Sequence, residues 1–188
     1  MKPTEQLTEE HNAIKEMLKI MDKVSQRLEV NKKVDSGHLD SIADFISVFA
    51  DKCHHGKEEG ALFPAMLEAG IPKDGGPIGV MLAEHEQGRK YVKEMINGID
   101  SYKKGEKSAA SKIASNAKGY TALLRQHIYK DDNILYPMAV KQLSNDIQDK
   151  LLEEFEKIEE EKIGAGKHEE LHKTLHRLKE FYLEHGKS

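Results

Sequence analysis

Two segments of this 188-residue chain repeat one unusual pattern at the same spacing. Segment 54–64 is HHGKEEGALFP and segment 127–137 is HIYKDDNILYP, so a histidine, a lysine, two acids, a leucine, an aromatic residue and a proline recur in register. A second match precedes each block, where LTEEH at 7–11 resembles MLAEH at 81–85. Internal repeats indicate stacked copies of one supersecondary unit. The chain is therefore expected to contain two related helical hairpins.

Apolar residues recur with helical spacing along almost the whole chain. The pattern predicts long helices over about 4–29, 38–69, 79–104 and 108–142, and shorter ones over about 144–162 and 167–185. Because short links join the long helices, successive helices are expected to run antiparallel. We predict an all-α fold: an antiparallel up-down-up-down four-helix bundle over 1–143, with one or two additional C-terminal helices over 144–188 packed on it. The last helix is expected to be polar all round.

Prolines 64 and 137 fall inside two of the predicted long helices. An interior proline removes one backbone hydrogen bond and clashes with the preceding turn, at a cost of about 3 kcal/mol. Two such costs at matching places indicate either bent helices that serve a purpose or helices that end early.

Charge and composition exclude several classes of function. The formal net charge is −4 with no basic patch, so a nucleic-acid partner is not expected. No run of about 18 apolar residues is present, so no membrane span is expected, and the polar N-terminus lacks the apolar stretch of a signal peptide. The single cysteine, Cys53, cannot form an internal disulfide. These features predict a cytoplasmic protein.

The spacing of the repeated histidines indicates metal binding. Residues four apart lie on one helix face, so His54 with Glu58, and His127 with Asp131, can point into the same space. His11 and His85 also fall on the apolar stripes of their helices. Buried carboxylates must be paired or bind metal. Two divalent cations would satisfy all of these groups, and mixed imidazole and carboxylate ligands suit iron, manganese or zinc.

These motifs resemble the hemerythrin-like family, including its HHE cation-binding members, over about residues 7–140. The resemblance implies a non-haem centre of two iron ions, bridged by carboxylates and an oxo or hydroxo group. Carried over residue by residue, it implies that Glu58 and Asp131 are the bridges. The full set of implied ligands is His11, His54, Glu58, His85, His127 and Asp131.

Two positions depart from the oxygen-carrying members of that family. Those carriers have a fifth histidine four residues after the third one, and this chain has Arg89 there. Arg89 cannot bind iron, so one coordination position is expected to be open, with Arg89 paired to an acid or near an anionic ligand. The carriers also take their last carboxylate five residues after the last histidine, which selects Asp132. Helix geometry favours Asp131, about 40° from His127 rather than about 140°, and Asp132 remains the alternative.

Two functions are compatible with such a centre. In the first, the protein binds oxygen, nitric oxide or a peroxide as a carrier, scavenger or weak oxidoreductase. In the second, it handles iron or responds to metal, and its fold tracks iron supply. The iron-sulfur repair branch of the family shares the ligand pattern and usually has a small cysteine-bearing N-terminal domain. No such segment precedes the first predicted helix in this sequence, so a repair role is less expected but stays an alternative.

Several other polar residues are not expected to bind the metal. His55 lies about 100° around the helix from His54, so a supporting or surface position is predicted. Lys57 and Lys130 are expected to pair with surface acids, and Cys53 to be a buried structural thiol. The C-terminal helix carries histidines at every fourth position, which are interpreted as a solvated face: His168, His172 and His176.

Overall fold

Within residues 1–184, which are those that the structure describes, the computed structural model contains six helices and no strand. The predicted all-α fold is confirmed, and the end of the predicted C-terminal extension, 185–188, lies outside the described residues. The helices are α1 (Pro3–Glu29), α2 (36–68), α3 (Pro77–Lys103), α4 (109–142), α5 (Asn145–Lys162) and α6 (167–184).

The first four helices form the bundle, in which α4 packs against both α1 and α3. Local sequence sets where two helices begin, because side chains of the preceding residues cap free backbone N–H groups. A carboxylate oxygen of Asp35 accepts a hydrogen bond from the backbone of Gly37 before α2, and Oγ of Ser144 accepts one from Ile147 before α5. No helix within 1–184 is long and apolar enough to cross a membrane.

Neither interior proline ends its helix. Both α2 and α4 continue through a widened, π-helical turn, over Glu58–Leu62 and Asp131–Leu135. The backbone N–H of Phe63 donates to the carbonyl of Glu58, and that of Tyr136 donates to the carbonyl of Asp131, five residues back in each case. The wider turn lets the helix continue past a proline, which has no backbone N–H to donate. A longer π-helical segment, Phe45–His55, precedes the first of these turns.

Two apolar clusters fill the bundle on either side of a polar layer. One cluster includes Leu18, Met21 and Phe45, and the other includes Leu7, Leu62 and Phe155. His11 stands on α1 between Leu7 of one cluster and Ile14 of the other. The polar layer is therefore enclosed by apolar side chains from both ends of the bundle.

The two C-terminal helices cover the bundle. Phe155 of α5 is fully buried. The prediction that the last helix is polar all round is wrong, because α6 buries one apolar face against the bundle. His168 and His172 are half-buried with their rings on Phe49, whereas His176 is exposed. The buried residues of α6 are Leu171, Leu175, Leu178 and Tyr182.

Candidate metal centre

Seven ionisable side chains share the buried polar layer, and each is at most 3% exposed. Six of them are the predicted ligands, and the seventh is His55. They come from all four bundle helices, α1 to α4. The layer consists of His11, His54, His55, Glu58, His85, His127 and Asp131.

A carboxylate holds each of the four predicted histidines from its outer side. The pairs, measured from Nδ1, are His11 with Asp132 (2.7 Å), His54 with Glu10 (2.8 Å), His85 with Glu59 (2.6 Å) and His127 with Glu84 (2.9 Å). An ionised carboxylate only accepts hydrogen bonds, so the Nδ1 atoms donate. In the neutral form of each imidazole, Nε2 then presents its lone pair to the interior, which is the arrangement found for metal-bound histidines.

These supporting acids obey the same internal repeat as the histidines. Glu10 and Glu84 each precede the lone histidine of their hairpin and hold the histidine of the repeated block in the same hairpin. Glu59 and Asp132 each follow a predicted bridge and hold the lone histidine of the other hairpin. Our sequence interpretation overlooked these four roles, although the acids stand at matched positions in the repeat.

The nitrogen and oxygen atoms at the inside of the layer lie close together. Nε2 of His85 lies 3.0 Å from Nε2 of His127. Oδ2 of Asp131 lies 3.1 Å from Nε2 of His127 and 3.9 Å from Nε2 of His11. Among the described residues, Nε2 of His54 and both carboxylate oxygens of Asp131 have no hydrogen-bond partner. Buried polar atoms are normally paired, so this geometry requires protons or cations between the groups.

The crowding of these groups also shifts their pKa values. Burial lowers the pKa of His85, but the carboxylates of Glu58 and Glu59 on its two sides raise it to about 9. Burial and the nearby charge of Glu58 raise the pKa of Asp131 well above its ordinary value. Burial would raise the pKa of Glu58, yet hydrogen bonding from His85 and the surrounding histidines hold it below its ordinary value. The layer therefore exchanges protons for any cation that it binds.

Asp131 and Asp132 have different environments. The Asp131 side chain is fully buried and points into the layer. The Asp132 side chain is 19% exposed, and its second oxygen accepts a hydrogen bond from Nζ of Lys15 at 2.8 Å. Asp132 therefore orients His11 from outside the layer, while Asp131 faces its interior.

One hydroxyl group joins the layer directly. The Oη–H of Tyr136 donates a 2.7 Å hydrogen bond to Oε1 of Glu58. The repeat places Phe63 at the equivalent position, and its ring stacks near His85 with centroids 5.9 Å apart. The tyrosine at a position where the first block has phenylalanine was the sequence signal for this contact.

The structure corrects the environment predicted for Lys57. Its side chain is fully buried, and Nζ donates to both Glu10 and Glu159 at 2.6 Å. Cys53, Glu10 and Glu159 converge around this ammonium group, which already supplies the cation for the two acids. Lys130 fits the prediction better, because it is 29% exposed and pairs with Glu84. The predicted burial of Cys53 is confirmed.

Of the two positions predicted for His55, supporting or surface, the structure excludes the surface one, because His55 is buried in the layer. Arg89 pairs with acids as expected, donating to Asp51 at 2.9 Å and to Glu59 at 2.7 Å. A cavity of about 270 Å³ lies beside these residues and is lined in part by His55, His85, Arg89 and Tyr120. Its other lining residues belong to α2 and α3.

Comparisons with known proteins give one family match and three relatives of low identity. The Hemerythrin HHE cation binding domain model matches residues 2–139. The chain is also 23% identical over 161 residues to the uncharacterized proteins Rv1995 and MT2051 of Mycobacterium tuberculosis and Mb2018 of Mycobacterium bovis. The match covers 85% of this chain but only 62% of those relatives. No solved structure matches significantly.

Proposed function

Because the chain belongs to the hemerythrin family of HHE cation-binding domains, we propose that it is a non-haem di-iron protein that binds oxygen, nitric oxide or a peroxide. One observation carries this proposal: histidine Nε2 atoms and two carboxylates converge in a buried layer, where several of these atoms have no hydrogen-bond partner among the described residues. The proposed iron ligands are His11, His54, Glu58, His85, His127 and Asp131.

The layout of the layer favours two ions over one. The rings of His11 and His54 lie together, with centroids 4.5 Å apart, and those of His85 and His127 form a second pair at 4.7 Å. Asp131 approaches a histidine of each pair. Glu58 and Asp131 are therefore proposed as bridges between one ion at each pair, and mixed imidazole and carboxylate ligands suit iron.

The protein groups around the centre have separable tasks. Two iron ions would supply coordination positions and electrons for a small ligand. The outer carboxylates hold each imidazole in one tautomer, and Tyr136 holds the orientation of Glu58. The apolar clusters exclude bulk water, and a cavity borders the layer beside His85. The single free cysteine, Cys53, supports a cytoplasmic location.

Elemental analysis and absorption spectroscopy of the purified protein test the proposal together. We expect about two iron ions per chain, and charge-transfer bands that change when oxygen, nitric oxide or peroxide is added. In Glu58→Ala we expect the iron content to fall clearly, whereas Glu68→Ala, an exposed position on the same helix, should retain it. Purified wild-type protein without iron would contradict the proposal.

The second function, iron handling, predicts a different result. Chelation would then unfold the protein reversibly, because the buried layer loses its cations. The absorption bands would not respond to any of the three small ligands.

A further inference from the structure

We propose that His55 is a fifth imidazole ligand of the centre, bound to the same ion as His85 and His127. The proposal rests on the proposed di-iron centre and adds a residue to it. It also changes the expectation that the coordination position which Arg89 cannot fill remains open.

Distances place His55 in one half of the polar layer. Its ring lies 3.8 Å from that of His85 and 5.5 Å from that of His127, centroid to centroid. One ligand atom from each of His55, Glu58, His85 and His127 lies within 4.8 Å of the other three. A single cation placed among these atoms can reach all four side chains.

The hydrogen bonds of His55 follow the pattern of the other four histidines. Its Nδ1 lies 3.3 Å from a carboxylate oxygen of Asp51, on the side away from the layer. Its Nε2 is buried and has no hydrogen-bond partner among the described residues. A histidine with one nitrogen on a carboxylate and the other nitrogen unpartnered in a polar cavity has the arrangement of a metal ligand.

Backbone geometry explains how neighbouring residues both reach the layer. In an α-helix, His54 and His55 would point about 100° apart. Here both lie in the π-helical segment Phe45–His55, whose wider turn reduces the angle between successive side chains. Their ring centroids are 5.7 Å apart. The segment therefore directs His54 to one side of the layer and His55 to the other.

Arg89 supports this arrangement. It occupies the place four residues after His85 where a histidine would face the same ion. Its guanidinium instead donates to Asp51, the acid that holds Nδ1 of His55. The same acid is therefore fixed by Arg89 and orients His55. The imidazole ligand that α3 lacks at this position would thus come from α2.

The fifth histidine breaks the symmetry between the two hairpins. The repeat places Ile128 at the position equivalent to His55, and no imidazole can come from there. One ion would have three imidazoles, from His55, His85 and His127. The other ion would have two, from His11 and His54. The open position for an exogenous ligand is therefore expected on the side of His11 and His54.

The test compares wild-type protein with His55→Ala and His55→Phe, all loaded with iron. We expect His55→Ala to lose iron to a chelator at least about tenfold faster, by analogy with losses caused by weaker supporting contacts. Mössbauer spectra should show two inequivalent iron sites in wild type that become more alike in the variant. Added imidazole should enter the neighbouring cavity and restore the wild-type spectrum of His55→Ala, but not that of His55→Phe.

The outcomes separate this inference from the proposed function. If wild type holds two irons and His55→Ala keeps the same retention and spectra, His55 is not a ligand and the di-iron proposal stands. A loss of iron that imidazole does not restore also overturns the inference, since packing alone would then explain it. Wild-type protein without iron would contradict the proposed function itself.

Discussion

The Nζ atom of Lys57 lies 2.6 Å from Oε1 of Glu10, and the lysine side chain is completely buried. The other oxygen of Glu10 accepts the 2.8 Å hydrogen bond from His54. Although burial raises the pKa of Glu10, the contacts with His54 and Lys57 lower it to about 2. Together with His54, this ammonium group keeps Glu10 ionised, and Glu10 in turn orients His54, a proposed iron ligand.

Lys57→Met is expected to lower the free energy of unfolding by about 3 kcal/mol, because it leaves Glu10 charged and buried without its cation. Urea denaturation followed by circular dichroism measures the change. The repeat supplies a matched control in Lys130→Met, which removes the equivalent contact with Glu84. Lys130 is 29% exposed, so water can solvate the Glu84 carboxylate when the ammonium group is removed. The free energy of unfolding should therefore fall by about 1 kcal/mol or less. Equal effects would show that burial of the pair does not matter.

Asp131 and Asp132 are expected to differ in how they affect iron. Asp131→Asn removes a proposed bridge, so iron content should fall strongly. Asp132→Asn weakens the contacts with His11 and Lys15 but removes no proposed ligand, so iron should remain bound with an affinity lower by roughly 10- to 100-fold. Metal analysis after dialysis against graded chelator distinguishes the two. The reverse order would identify Asp132 as the bridge.

The stability of the metal-free protein should fall as the pH is lowered from about 6.5 to 5. Burial and the charge of His54 lower the pKa of His11 to about 4, and burial also lowers the pKa values of His55 and His127. In this range the unfolded chain binds protons that the folded chain does not, so the free energy of unfolding falls as the pH is lowered. His11 alone accounts for about 2 kcal/mol.

Other groups act in the opposite direction at higher pH. The pKa of His85 is raised to about 9, so its contribution is complete below 6.5 and is lost as the pH rises towards 9. The raised pKa of Asp131 also makes the folded protein more stable at lower pH. Between pH 5 and 6.5 this contribution is opposed by those of the three histidines with lowered pKa values. Urea denaturation of chelator-treated protein should therefore show greatest stability near pH 6.5. A profile that rises steadily to pH 8 would contradict this assignment.

We propose that residues 1–143 form the metal-binding domain and that the C-terminal helices stabilise it. Removing 144–188 should lower stability, because Phe155 leaves the cluster around Leu7 and Leu62, and Lys57 loses Glu159. Removing only 167–188 keeps both contacts and should have a smaller effect on the metal layer. Thermal unfolding and iron content of the two truncated proteins check the order. Unchanged iron content and stability in the shorter protein would show that the extension is independent.

The burial of neighbouring residues shows where sequence reasoning was sufficient. His54 and Glu58 were placed in the core by their four-residue spacing, which recurs at His127 and Asp131, and all four side chains are buried. His55 could not be assigned in the same way, because the assignment assumed a regular helix. The π-helical segment changes the direction of the side chain.

The amino-acid sequence by itself determined the helical fold, its two related hairpins and the histidines and acids that enter the core, because periodicity and repetition are local properties of the chain. The tertiary structure decided which acid holds which histidine, since two of these pairs join different hairpins. It also decided that Lys57 is buried, because that requires Glu159 of α5 to cover it. Contacts between distant segments depend on how helices pack, and a one-dimensional pattern does not contain that information.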